Sequence, residues 1–182
     1  MEKPIIFSTP MVRAILKGRK TQTRRVIKNI LPAVQRIEPN GPNSWAMFGN
    51  NNGWTIECPY GIPGSRLWVR EKWRPSQVKG KVWYAEVCGD DQHPRWRYPI
   101  HMPRSASRLT LAITAVRVER LHAISEDDAQ AEGIADRTRL PGHEPMYAMT
   151  FAKLWDEINA KRGHPWSSNP FVWIIQFQKV EI

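Results

Sequence analysis

The run Phe171-Val172-Trp173-Ile174-Ile175-Gln176-Phe177 constrains this chain more than any other stretch. Successive residues of a strand point to opposite faces, so a strand that is apolar on both must be covered on both. This segment therefore predicts a strand interior to a sheet or barrel. It is far shorter than the roughly 20 apolar residues of a membrane helix, and nowhere does the chain approach that length. From Arg108 to Leu121 the apolar residues alternate: Leu109, Leu111 and Ile113 share one face, and Val116 and Val118 then change phase. A phase change inside a strand predicts a bulge or sharp bend near Ala115. Pro4–Phe7, Gln22–Ile27, Leu67–Trp73 and Lys81–Val87 read as further strands.

Helical spacing appears three times. Met11, Val12, Ile15 and Leu16 follow an N-cap at Ser8 or Thr9 and Pro10 in the first turn, and Gly18 suits the left-handed residue that ends a helix. Ser125-Glu126-Asp127-Asp128 is a capping box opening a helix that runs to about Gly133. Tyr147, Phe151, Leu154 and Ile158 lie on one face of a longer helix. The stretches 29–66, with Trp45, Phe48 and Trp54, 89–107 and 136–145 are rich in turn residues and read as loops. With 182 residues and 41% hydrophobic content, the expectation is one α+β domain over residues 1–182, a small curved sheet or barrel with helices at its ends.

Charge is distributed unevenly. Lys17–Lys28 carries six basic side chains and no acid, centred on Gly18-Arg19-Lys20-Thr21-Gln22-Thr23-Arg24-Arg25, whereas residues 122–136 carry five acids and no Lys or Arg. Such a basic patch repels itself unless something anionic faces it. With a net charge of +10 and nine Trp, nucleic acid is the favoured partner: phosphates for the cations, unpaired bases for planar side chains. The plainer alternative is charge for solubility, and most of the Trp belong in a core. Arg95-Trp96-Arg97-Tyr98 suits stacking on a nucleotide or folding back on the core equally well. Cys58 and Cys88 read as reduced thiols of a cytoplasmic protein, and Met1-Glu2-Lys3-Pro4 lacks the features of a signal peptide. His93, His101, His122, His143 and His164 show no metal-ligand spacing with the cysteines, and neither a glycine-rich phosphate loop nor a G-x-S-x-G elbow occurs, so no metal or cofactor is expected. Ser105 and Ser107, between Arg104 and Arg108, suit phosphate contact better than nucleophilic attack.

Four segments together carry a resemblance: Gly18-Arg19-Lys20-Thr21-x-Thr23 after a short amphipathic helix, Pro63-Gly64-x-x-Leu67-Trp68-Val69-Arg70-Glu71, Ile124-Ser125-Glu126-Asp127-Asp128-Ala129-x-x-Glu132-Gly133, and the strand from Phe171 to Phe177. In this order they resemble the ASCH-domain family of PUA-like β-barrels, tied to RNA, and especially its longer prophage-type members. Ser65 departs from the pattern, in which many members have Asp. The resemblance implies a barrel with flanking helices and inserted loops at about 29–62, 74–107 and 134–146. Some small ASCH proteins are N4-acetylcytidine amidohydrolases that use a Lys, a Thr and a Glu, which by motif fall on Lys20, Thr23 and Glu132. The residue types suit the chemistry: an alcohol needs a base, and a lysine serves when burial or neighbouring cations lower its pKa. RNA or a modified nucleoside would then contact Arg19, Arg24, Arg25, Trp68, Arg70, Glu71, Arg104 and Arg108, with single-stranded DNA an alternative partner and no membrane involved. A non-catalytic single-stranded RNA-binding module and a metal-independent ribonuclease are the rival functions. All versions require the cationic turn and the acidic helix to face each other across a shared cavity.

Overall fold

In the computed structural model, β10 (Phe171–Val180) lies between β9 (Thr110–Arg120) and β2 (Gln22–Val26) in a five-stranded sheet of order β1-β6-β9-β10-β2. β1 (Glu2–Ile6) pairs parallel with β6 (Arg66–Arg70), and all other pairs are antiparallel. The structure describes residues 2–28, 30, 34–41, 43–49, 54–78, 80–88, 96–135 and 146–180. Phe171, Trp173, Ile175 and Phe177 enter a core shared with Val12 and Ile15 of α1 (Thr9–Leu16) and with Leu67, Val69, Leu111 and Ile113. Val172 and Ile174 point the other way, into a second core with Ala129 of α3 (Glu126–Ala131) and Phe151 and Trp155 of α4 (Tyr147–Asn159). The two-faced apolar run is thus explained by a core on each side. Each such fully buried aliphatic side chain contributes about 1.5–3 kcal/mol relative to exposure.

The phase change in β9 is a bulge. Ala115 pairs with Gln176 and Ile113 with Phe177, so Thr114 is the extra residue. β1 and β2 are the sheet's edges, and among the described residues no ladder joins them. The sheet is nevertheless curled, because Arg25 Nη2 of β2 donates to Ile6 O of β1 at 2.7 Å. A side chain makes the closure that a barrel would make with backbone.

Three local expectations differ from the structure. Residues 29–66 are not only loops: β3 (Val34–Pro39), β4 (Ser44–Gly49) and β5 (Trp54–Glu57) form an antiparallel sheet. Its Trp45 and Met47 are buried, and Trp45 meets Trp173 edge-on with ring centroids 4.8 Å apart. The strand read over Leu67–Trp73 breaks after β6, where Glu71 turns inward, and resumes as β7 (Trp73–Pro75). The strand read over Lys81–Val87 is β8 (Val82–Tyr84) followed by α2 (Ala85–Cys88). His93, Arg95, His143 and the whole 136–145 loop reading lie outside the described residues. Among the described residues no helix is long and apolar enough to cross a membrane.

Candidate functional site

The turn after α1 is stitched to the end of α3 by main chain. Gly18 adopts φ 69°. Arg19 N and Lys20 N both donate to Ala14 O, at 2.9 and 3.1 Å, and Thr21 N donates to Ala131 O at 2.9 Å. Lys20 and Glu132 form an isolated antiparallel bridge. Gly133, at φ 85°, makes this approach feasible, since a Cβ there would lie 2.9 Å from the Cβ atoms of both Ala14 and Lys20. The basic turn and the acidic helix therefore meet directly. Within α3, Ser125 Oγ accepts from Asp128 N at 3.1 Å. The reciprocal half of a capping box is not used by Asp128, whose carboxylate turns to Gln22, Arg24 and Arg117.

The side chains at this junction form a buried ion network. Lys20 Nζ, its side chain 2% exposed, donates to Glu132 Oε2 at 2.9 Å, Glu132 O at 2.8 Å and Gln22 O at 2.8 Å. Burial lowers the pKa of Lys20, while the charge and hydrogen bond of Glu132 oppose that shift. Arg24, also buried, donates through Nη2 to Asp128 Oδ2 at 2.7 Å and through Nη1 to Glu132 Oε1 at 3.4 Å. Burial alone would raise the Asp128 carboxyl, but Arg24, Gln22 and Arg117 more than offset it and hold the group below its ordinary value.

Above this network opens a cavity of about 720 Å³. Lys20, Thr23 and Glu132 are each 4% exposed and line its deep end, whereas Lys28 and Arg162 are exposed at its mouth. Phe151 and Trp155 of α4, with Tyr60, supply aromatic wall. Among the lining residues five cations, Lys20, Arg24, Arg25, Lys28 and Arg162, face one carboxylate, that of Glu132. The volume falls within the roughly 300–1,000 Å³ typical of small-molecule sites. Among the described residues the Thr23 hydroxyl has no hydrogen-bond partner, which leaves it free for a ligand.

The other residues singled out from the sequence lie elsewhere. Arg19 lines a separate cavity of about 450 Å³ on the far side of the turn. Trp68 is 7% exposed beneath the Arg70 guanidinium, 4.6 Å from its ring centroid. Glu71 is 1% exposed and receives a bidentate fork from Arg108, both bonds 2.9 Å, with Glu86 3.2 Å from the same guanidinium. Arg104 Nε donates to Glu2 Oε2 at 2.7 Å, and Ser107 Oγ to Val69 O at 2.8 Å. None of Trp68, Arg70, Glu71, Arg104 and Arg108 lines the 720 Å³ cavity. Arg24 lines it with its charge committed to Asp128 and Glu132. Conversely, Lys28, Tyr60, Arg162 and His164 line the cavity without having been marked as site residues. Only their assembly from distant segments identifies them. No group of three His, Cys, Asp or Glu able to hold a metal occurs among the described residues.

Fold and site together define an α+β protein with a cation-lined cavity built over a buried Lys-Glu pair. Among solved structures, the chain is similar to the ASCH domain from Lactobacillus crispatus JV V101, at 11% identity over 98% of this chain and 79% of that one, with a TM-score of 0.47. It is also similar to a DUF984 protein from Enterococcus faecalis V583, at 14% identity over 92% of this chain and a TM-score of 0.42, and spans 65% of that protein's length. No protein-family model and no curated protein matches the chain. The site residues are therefore judged on their own geometry.

Proposed function

We propose that the cavity takes a pyrimidine nucleoside unit, free or in single-stranded RNA, and that Lys20, Thr23 and Glu132 hydrolyse an N4-acyl amide on it. The carrying observation is the buried hydrogen bond of 2.9 Å from Lys20 Nζ to Glu132 Oε2, with Thr23, whose hydroxyl has no hydrogen-bond partner among the described residues, at the buried end of the same aromatic and cationic cavity. The sequence resemblance to ASCH amidohydrolases points to the same three residues.

In this reading Thr23 Oγ attacks the amide carbonyl and its proton passes to the Lys20–Glu132 pair, which needs a neutral lysine; the lowered Lys20 pKa favours that form. The C–N bond then breaks, the pair returns the proton to the leaving N4 amine, and cytidine departs. Water attacks the acyl-threonine ester, the pair takes a proton from that water, and Thr23 Oγ recovers one as acetate leaves. The net reaction adds one water across the amide. Incubation with N4-acetylcytidine should yield cytidine and acetate, and Thr23→Ala or Lys20→Met should lower the rate by about 100-fold or more. Full activity in Thr23→Ala removes the nucleophile from the scheme.

One observation favours a second reading. All three Lys20 ammonium donors already have acceptors, as in a purely structural ion pair. The protein would then be a non-catalytic single-stranded RNA-binding module, which binds RNA without turnover and is insensitive to Thr23→Ala. Cleavage of the RNA in the same incubation would instead support the ribonuclease.

A further inference from the structure

We infer that the mouth of the cavity carries a phosphate-binding subsite formed by Arg25, Arg162 and Lys28, so that the preferred ligand is phosphorylated and not an uncharged nucleoside. Arg25 projects from β2 into the same lining as Arg162 and Lys28. Its Nη2 donates to Ile6 O at 2.7 Å, and its guanidinium carbon lies 5.3 Å from the Phe7 ring centroid. Its Nε is buried with no hydrogen-bond partner, as are those of Arg24 in the same lining and of Arg70 and Arg74 outside it. Buried donors left without an acceptor are uncommon in folded proteins, and a guanidinium presents a fork suited to phosphate oxygens.

The cavity itself offers Arg25 no free anion. Glu132, the sole carboxylate among the described lining residues, is committed to Lys20 and Arg24. Arg162, in the turn after α4, and Lys28, just past β2, add two exposed cations to the same lining, and among the described residues neither has an acidic partner. Burial works first against the Arg25 charge; Tyr60 and Glu132 support it, and Arg162 is close enough to oppose it. Cations gathered in one lining without a free carboxylate among the described residues call for a dianionic or monoanionic oxygen cluster. A charge patch kept for solubility would leave every such donor in water.

The inference rests on the nucleoside reading of the cavity but not on amide cleavage. Its test is calorimetric titration of the full chain with cytidine, 5′-CMP, a cytidine dinucleotide and inorganic phosphate, at low and high salt. 5′-CMP should bind about tenfold more tightly than cytidine, as one charge-assisted contact supplies. The ratio should fall toward one in Arg162→Gln, an exposed position that spares the fold, and in high salt. A dinucleotide that matches 5′-CMP assigns the subsite to a phosphodiester, and weaker dinucleotide binding assigns it to a phosphomonoester. Equal affinity for cytidine and 5′-CMP, an unchanged ratio in Arg162→Gln, or no binding of any phosphate-bearing probe overturns the subsite. Phosphate preference without deacetylation keeps the subsite and removes the hydrolase; deacetylation without phosphate preference does the reverse.

Discussion

Glu71 and Glu132 are both buried carboxylates held by cations, yet their surroundings differ in kind. Glu71 is gripped by the two-pronged guanidinium of Arg108, which also lies over the Tyr84 ring, 4.1 Å from its centroid. Neither Glu71 nor Arg108 reaches the large cavity. An arginine does not give up its proton in a protein, so this pair is a clamp. It ties the start of β9 to the segment after β6 and, through Glu86, to α2. Glu132 is held by a lysine, whose proton is transferable, and opens on a cavity. Burial and pairing alone do not mark a reactive group; the cation's identity and the space beside it do.

The comparison can be broken most readily at the clamp. Arg108→Ala leaves Glu71 buried without its cation and should lower the unfolding free energy by about 3–5 kcal/mol in chemical denaturation. Lys20→Met leaves Glu132 with Arg24 and should cost about 1–3 kcal/mol, and under the proposed function it also removes deacetylation. If Lys20→Met is the more destabilising, the two pairs are alike and the distinction fails. Gly133→Ala places a methyl group against two Cβ atoms at a positive φ. It should cost about 1–2 kcal/mol from backbone strain alone and, under the proposed function, slow the reaction by spreading Lys20 from Glu132.

Acid should separate the regions further. The folded pKa of Asp128 is depressed, so its stabilising contribution is present above the unfolded value of about 3.9 and is lost as pH falls through the folded value. Stability measured between pH 5 and 2 should therefore fall less steeply in Asp128→Asn than in the parent chain. The smallest effect belongs to the β7–β8 pair. Trp83 is 45% exposed and stacks on Arg74 at 5.9 Å, so Trp83→Ala should change stability by no more than about 0.5 kcal/mol.

Much of this architecture was legible in the chain. The two-faced run of β10, the phase change at Thr114 and the end of α1 at Gly18 are local patterns that a single strand or helix imposes, and each appears where the residues place it. The meeting of the basic turn with the acidic helix was legible because opposite charge excess demands a partner. β3–β5 were hidden because strands of four to six residues, in a sequence rich in Asn and Gly, offer too few alternations to stand out. The cavity lining was hidden for another reason. Tyr60, Arg162 and Lys28 come from segments with no sequence relation to one another, and charge alone did not show that Arg104 and Arg108 were already paired with Glu2 and Glu71.

α3 has six residues, yet it serves two masters. Its Glu126 carboxylate accepts from Tyr147 N and Ala148 N at the start of α4, the helix whose Phe151 and Trp155 wall the cavity. Its Asp128, two residues on, anchors Arg24 below. Roof and foundation thus hang from one rigid peg, and a guest that lifts the roof must wrench the foundation with it. The spacing between the aromatic wall and the buried ion network is therefore set by a single short helix.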